Sequence, residues 1–439
     1  MRKVINGTLQ LLWLAVAVCC ASCYLFVRNE LRYLAVLIPA FLLLNLLPGA
    51  VGGLKGFRLR LCRHGAVMLW IFLVSAVLSA AWQIVLILYK LPRLELLFSI
   101  LVCVLVEAVI FWNGIICVYL TSTQLGLKTR ILGVVFGMIP IANVVMLCVI
   151  LKKVTAELRL ERDRQQLDES RKEERICATR YPILLVHGVF FRDNRIFNYW
   201  GRIPGALEKN GAKLYYGEHQ SAASVAESAE ELTYRIRWLV EKTGCEKVNV
   251  IAHSKGGLDC RYAMAHLGAE KWIASLTTVN TPHRGCLFAE DLLEKIPEKV
   301  QHKVADTYDK ALRRLGDPDP SFMAAVEDLT ASVCVVRDRL PVPDGVYAQS
   351  VGSVMGKASS GAFPLNLSYR LVRHYDGEND GLVAESAFAW GEKYTLVRPA
   401  GRQGISHGDI IDLGRKDIPG FDVREFYVQL VAELKKRGL

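Results

Sequence analysis

The chain has 439 residues, room for two or three domains, and is 52% hydrophobic with a formal net charge of +11. That charge is unevenly placed: residues 1–151 carry twelve Lys and Arg against three Asp and Glu, and the remainder forty-two against forty. Basic residues set between long apolar runs are membrane-flanking charge, which excludes a nucleic-acid footprint as their purpose.

Five apolar runs lead the chain: Leu9 to Val27, Tyr33 to Leu54, Gly65 to Tyr89, Leu94 to Leu120 and Ile131 to Leu151. Each approaches the roughly 20 residues that a hydrocarbon core requires, so an all-α transmembrane domain is predicted over 1–151, with Pro39, Pro48 and Pro140 as candidate kinks. A second long run follows the first within a few residues, which argues against a cleaved signal peptide. Glu107 stands midway along the fourth run, where a charge is costly, and is expected to join helices by hydrogen bonding to Asn113 or Asn143. Five crossings would put the two ends of this domain on opposite faces. Counting basic residues in the connecting segments then places the downstream domain outside the cell, although Lys152, Lys153, Arg159, Arg162 and Arg164 after the last run argue the other way.

Residues 152–175 alternate in charge with no Gly or Pro, predicting a solvent-exposed helical linker laced with local ion pairs. The third region, 176–439, alternates strand-like and helix-like runs. Strands are expected at Ile183 to Val186, Val248 to Ala252, Leu276 to Val279, Val333 to Val336 and Tyr394 to Val397; helices are expected at Ala222 to Lys242 and Gly257 to Leu267. Continuous aliphatic strands alternating with helices indicate a parallel sheet covered on both faces. Twelve cysteines, seven before Leu151 and five after it, are taken as small buried apolar residues rather than a disulfide framework.

Chemistry concentrates in four places along this third region. Tyr181 to Phe190 is a buried strand running into a His187-Gly188 turn. Ala252-His253-Ser254-Lys255-Gly256 sits between a strand and a helix, a sharp turn that lifts a serine hydroxyl above the sheet edge and makes Ser254 the candidate nucleophile. Glu378 to Val383 offers Asp380 in a turn, with Asp376 as its near rival. Ile405-Ser406-His407-Gly408-Asp409 offers His407, preferred as the base over His187, His253, His283 and His374 because Ser254, Asp380, His407 follow the order serine, acid, histidine. The backbone N–H groups of Val189 and Lys255 are then the candidate oxyanion donors.

On these motifs, together with Asn198-Tyr199-Trp200-Gly201-Arg202-Ile203 and Asn280-Thr281-Pro282-His283-Arg284-Gly285, the segment from Cys177 to Leu439 resembles the bacterial triacylglycerol lipases of the α/β-hydrolase superfamily. The resemblance implies an α/β-hydrolase fold, a Ser254–His407–Asp380 triad acting on lipid esters at a bilayer, and catalysis without a cofactor. It also implies a lid-like insert over 286–330 and a structural calcium ion held by Asp409, with Asp412 and Asp417 within reach. The same triad serves acyltransferases and thioesterases, and a silent hydrolase fold can act as a binding module; oligomeric state is not legible.

Overall fold

The computed structural model describes residues 2–49, 53–139, 141–189, 198–220, 222–314 and 319–439; Pro140 and Phe190 of the sequence analysis lie outside them. The chain divides into two compact units, Met1–Glu169 and Ser170–Leu439.

The first unit is all helical: α1 (Arg2–Ala21), α2 (Tyr24–Asn29), α3 (Leu34–Leu46), α4 (Phe57–Leu88), α5 (Arg93–Thr121), α6 (Gly126–Gly137) and α7 (Ala142–Ser170). Among the described residues, α4 and α5, of 32 and 29 residues, are the two helices long and apolar enough to cross a membrane singly. The other three apolar runs are divided among helices differently. The first run breaks between α1 and α2, and the second contains a 13-residue helix, about 20 Å long. The fifth is split between α6, about 18 Å long, and α7, with Ile141 at φ 69° between them. A β-branched residue in that left-handed region marks a sharp reversal that an apolar-run count does not register.

The linker expected over 152–175 also differs, because α7 runs unbroken from the apolar run into the charged stretch. Leu147, Ile150, Leu151, Val154 and Leu158 recur at helical spacing and bury against Leu59, Cys62 and Leu69 of α4 and Val118 of α5. Glu157, also buried, accepts from Arg58, from the Ser122 and Thr123 hydroxyls, and from the Thr123 and Gln124 amides. That carboxylate ties the α5–α6 turn to α7, so the first half of the charged stretch is part of the helical unit.

Glu107 finds other partners than those expected: it accepts from Ser75 at 2.9 Å and Ser79 at 3.4 Å on α4, while Asn113 donates to Asn45. No Asp, Glu, Lys or Arg accompanies Glu107 in this contact, which marks it as an interhelical hydrogen-bonding group.

In the second unit six strands form one parallel sheet in the order β2-β1-β3-β4-β5-β6: β1 (Ile183–Val186), β2 (Leu214–Tyr216), β3 (Val248–His253), β4 (Ile273–Val279), β5 (Tyr347–Ser353) and β6 (Lys393–Val397). Helices α8 (Ile203–Lys209), α9 (Val225–Thr243), α10 (Lys255–His266), α11 (Leu287–Lys295), α12 (Glu298–Arg314), α13 (Phe322–Glu327), α14 (Ala331–Asp338), α15 (Leu365–Asp376) and α16 (Val423–Lys436) accompany it. Ile183 and Leu185 pack with α8 and α16 through Leu207, Tyr427 and Val431. Leu184 and Val186 face the other way, onto Leu232 and Ile236 of α9 and Ala263 of α10. Both faces are therefore buried, which is why β1 is aliphatic at every position. This is an α/β-hydrolase fold.

Strand β2 is not among the expected strands, and two further assignments needed the tertiary structure. The Val333 to Val336 run is helix α14, with Cys334 buried and Val335 and Val336 exposed, so its β-branched residues are spread around a helix instead of alternating across a sheet. Strand β5, Tyr-Ala-Gln-Ser-Val-Gly-Ser, is too polar to read as a buried strand; Gln349 donates to Thr277 and Ser350 to the Trp390 carbonyl, which satisfies those groups inside.

Glu107→Gln, which keeps both interhelical bonds, is expected to leave unfolding of the full chain in detergent unchanged, whereas Glu107→Ala loses about 1–2 kcal/mol. Equal losses in the two variants would show that the charge itself is required.

Candidate active site

His187, Ser254 and Asn280 directly follow the C-termini of β1, β3 and β4, where parallel α/β sheets collect their functional turns. Ser254 follows β3 at φ 55°, ψ −132°, a left-handed conformation that a serine adopts only when its surroundings impose it. Those surroundings are tightly packed. A Cβ on Gly188 would lie 2.7 Å from the Ser254 Cβ, one on Gly256 would lie 2.4 Å from the His187 carbonyl oxygen, and one on Gly257 would lie 2.2 Å from the Thr281 hydroxyl. Thr281 in turn donates to the Ser254 carbonyl at 2.8 Å.

The structure brings Ser254, His407 and Asp380 together. His407 Nε2 lies 3.0 Å from the Ser254 hydroxyl, and its Nδ1 lies 2.6 Å from Asp380 Oδ2. A second tie holds the ring's backbone, since the His407 amide donates to the Asp380 carbonyl at 2.8 Å. Asp380 is fully buried, and three donors besides His407 fix its oxygens. Its Oδ1 accepts from the Leu382 and Val383 amides at 2.9 and 2.8 Å, and its Oδ2 from the Asn280 side chain at 2.6 Å. Asn280 also donates to Ser353 at 2.8 Å, and its φ of 47° turns the chain after β4 toward the acid. The rival Asp376 is elsewhere, at the end of α15, accepting from the Phe288 amide.

Lys255 begins α10 directly after the serine, and Val189 follows the His187-Gly188 turn. Neither backbone N–H donates to another group among the described residues. The Lys255 side chain points away into the interior, donating to Asp259 and Ser228 at 2.8 Å each. Burial pushes the Asp259 carboxyl upward, against the pull of the Lys255 ammonium.

The other histidines take structural places. His253 Nδ1 lies 2.6 Å from the Tyr199 hydroxyl, which also accepts from the Gly188 amide at 3.1 Å. Burial, reinforced by the neighbouring His407, holds His253 well below the ordinary imidazole range, and burial does the same to His283 between Thr278 and Arg261. His187 stacks on His219 at 4.0 Å, and His374 is exposed on α15. Asn280 and Tyr199 carry roles the motif reading did not assign, although both stand inside motifs it quoted; a polar residue directly after a buried strand was the available signal for Asn280.

The carboxylates expected to hold calcium are engaged with protein groups. Asp409 accepts from the Ser406 hydroxyl at 2.6 Å and its amide at 3.3 Å, and Arg202 donates to both oxygens of Asp412 and to Asp417. Among the described residues no cluster of three or more His, Cys, Asp or Glu has the disposition of a metal site. This donor set does not fit a calcium ion, which asks for six or more oxygens; the Arg202 guanidinium takes the place of a cation between Asp412 and Asp417.

No family model matches the chain. It is 34% identical over 175 residues to a triacylglycerol lipase of Pseudarthrobacter phenanthrenivorans, covering 37% of this chain and 54% of that relative, so it spans about half the length of that relative. Against a triacylglycerol lipase of Pseudomonas fragi it is 38% identical over 295 residues, 60% of this chain and 98% of the relative. Among solved structures, lipase BlEst2 of Bacillus licheniformis in its mature form superposes with a TM-score of 0.42 at 22% identity, over 58% of this chain and 92% of that one. With nearly the whole of the Pseudomonas fragi relative aligned at that identity, the chain belongs to the triacylglycerol lipase family.

Proposed function

We propose that the protein is a membrane-anchored serine hydrolase that cleaves carboxylic esters of lipids. The observation that carries this reading is the continuous line from Ser254 Oγ through the His407 ring to Asp380, at 3.0 and 2.6 Å. His407 Nε2 takes the serine proton as Oγ attacks the ester carbonyl, and the Val189 and Lys255 amides donate to the oxyanion of the tetrahedral intermediate. Asp380, its oxygens held by donors, keeps the Nδ1 proton in place and stabilises the imidazolium. The imidazolium returns its proton to the departing alcohol. Water, deprotonated by His407, then attacks the acyl-serine, and the acid leaves as Ser254 regains its proton.

The insert over 286–330 is read as a lid. Its two ends meet in a bridge between Cys286 and Thr330, and its base packs through Cys286 and Ala289 on Val383 and Phe388, next to the loop of Asp380. On α12, Val300, Val304 and Tyr308 form an exposed apolar stripe at four-residue spacing while Ala305 and Leu312 are buried, a surface suited to lipid or to an apolar cleft.

The membrane side is read differently from the five-span count. Helix α7 passes the end of the first unit where α4 begins and α5 ends, through Arg58–Glu157 and the Lys55 amide to Gln165. That end carries Lys55, Arg58, Arg60, Arg63, Lys128, Arg130, Lys152 and Lys153, while the far end, where Arg28 pairs with Glu95, carries Arg28, Arg32, Lys90 and Arg93. The chain thus leaves the helical unit on its more basic face, which favours the cytoplasmic side. Twelve unpaired cysteines suit the same reducing compartment.

Ser254→Ala is expected to abolish ester hydrolysis by the purified full chain, by at least about 10³-fold, with folding intact, and to be non-additive with His407→Ala. Asn280→Ala is expected to cost about tenfold in kcat/KM, the worth of one charge-assisted hydrogen bond to Asp380, while fluorophosphonate still labels Ser254. Wild-type turnover in Ser254→Ala would end this mechanism.

Val304→Ser with Tyr308→Ser is expected to lower activity on emulsified long-chain esters several-fold more than on short soluble esters; equal losses on both would mark the insert as an ordinary packed subdomain. Protease added to spheroplasts is expected to leave the second unit intact until the membrane is permeabilised, and release of a fragment near the size of Cys177 to Leu439 from sealed spheroplasts would reverse the placement.

A further inference from the structure

A cavity of about 650 Å³ opens within the first unit, between α1, α4 and α7. Its wall is ordered by chemistry. Arg63 on α4 lines one end, with Arg159 and Arg162 of α7. From there Val67, Trp70, Ile71 and Val74 continue along α4, joined by Leu11 and Leu14 of α1. Arg63 to Val74 is three helical turns, about 16 Å, so a charged mouth leads into an apolar wall running along the helix axis toward the middle of α4.

The mouth lacks a counter-charge. Arg63 is only 9% exposed, and neither it nor Arg159 nor Arg162 pairs with a carboxylate among the described residues. A guanidinium removed from water without an anion is costly, and a second and third beside it add repulsion. Glu157, on the same stretch of α7, is committed to Arg58 and the Ser122–Gln124 turn and is not available to them. An anion that brings its own apolar tail satisfies both halves of the cavity at once: phosphate oxygens match the guanidinium fork, and an acyl chain covers Leu11, Leu14, Trp70 and Val74.

We propose that this cavity is a binding site for one anionic phospholipid, with its phosphate on Arg63, Arg159 and Arg162 and an acyl chain along α4. The site is separate from Ser254, and the lipid in it is a ligand of the helical unit, not a substrate. The membrane face on which the arginines lie is rich in anionic lipid if it is the cytoplasmic leaflet, so the occupant is at hand.

The test uses the full chain carrying Ser254→Ala, delipidated in neutral detergent, so that any bound lipid stays whole and is counted by mass, independently of ester hydrolysis. Titrated with phosphatidylglycerol or phosphatidylcholine of the same acyl chains and followed by native mass spectrometry, it is expected to retain one phosphatidylglycerol with about tenfold preference, the order of one charge-assisted contact. Arg63→Gln is expected to reduce the preference to near unity. Because a buried arginine can affect folding, Arg159→Gln with Arg162→Gln, both exposed on α7, supplies a second variant that is expected to lose most of the preference. Equal retention of the two lipids, or an unchanged preference in the double variant, overturns the proposal. Displacement of phosphatidylglycerol by millimolar inorganic phosphate also overturns it, by showing an anion site that does not use the apolar wall.

Discussion

The backbone of Ser254 is held in a left-handed conformation by the close packing of the segments around it, and the rest of the candidate site is arranged around that constraint. A residue so placed sits at the tip of β3 with its side chain lifted from the sheet, because the strand has ended and α10 has not yet turned it away. The strain is offset by neighbours that cannot give: the His187–Gly188 turn on one side, Thr281 on the other, and the first turn of α10 behind. Gly188, Gly256 and Gly257 are glycines because a Cβ at any of them would enter a neighbouring chain segment. The chemical group is the serine, but its position comes from three places where no side chain fits.

The acid and base arrive from farther along the chain and are held by a second, polar constraint. Asp380 is buried, and its oxygens accept from two backbone amides, from Asn280 and from His407. Asn280 connects this cluster to the end of β4 and, through Ser353, to the end of β5. Two strand ends and the acid loop are therefore coupled through one side-chain amide, a geometric restraint beyond that of the triad itself. The same economy appears in the helical unit, where Glu157 collects donors from α4 and the α5–α6 turn, and Glu107 collects two serines from α4. In both units a single buried carboxylate fixes how separate segments meet.

The helical unit also shows where local reading misleads. Apolar length predicts a helix that crosses a bilayer only if the run is one helix, and three of five runs are not. The last run is divided between α6 and α7, and α7 passes the end of the helical unit at which α4 starts.

The sequence by itself determined whatever depends on neighbours along the chain. Aliphatic continuity marked β1 and β3, the small residues flanking Ser254 marked the turn, and chain order singled out Asp380 and His407, the two residues that the fold brings to that serine. It also marked the apolar first third and its basic flanks, because composition is a local property. Only the tertiary structure decided what depends on partners distant in sequence. Strand β5 is polar because Thr277 and the Trp390 carbonyl satisfy it from other elements, and Val333 to Val336 is helical because Cys334 alone is buried. Glu107 bonds serines 28 and 32 residues away instead of a nearby asparagine. Asp412 and Asp417 answer Arg202, more than 200 residues earlier in the chain, and so are not free for a metal. For the polar groups the physical reason is shared: a polar group inside a protein takes the conformation and partner that satisfy its hydrogen bonds, and which groups are within reach, like which face of the Val333 to Val336 run is covered, is set by packing, not by sequence spacing.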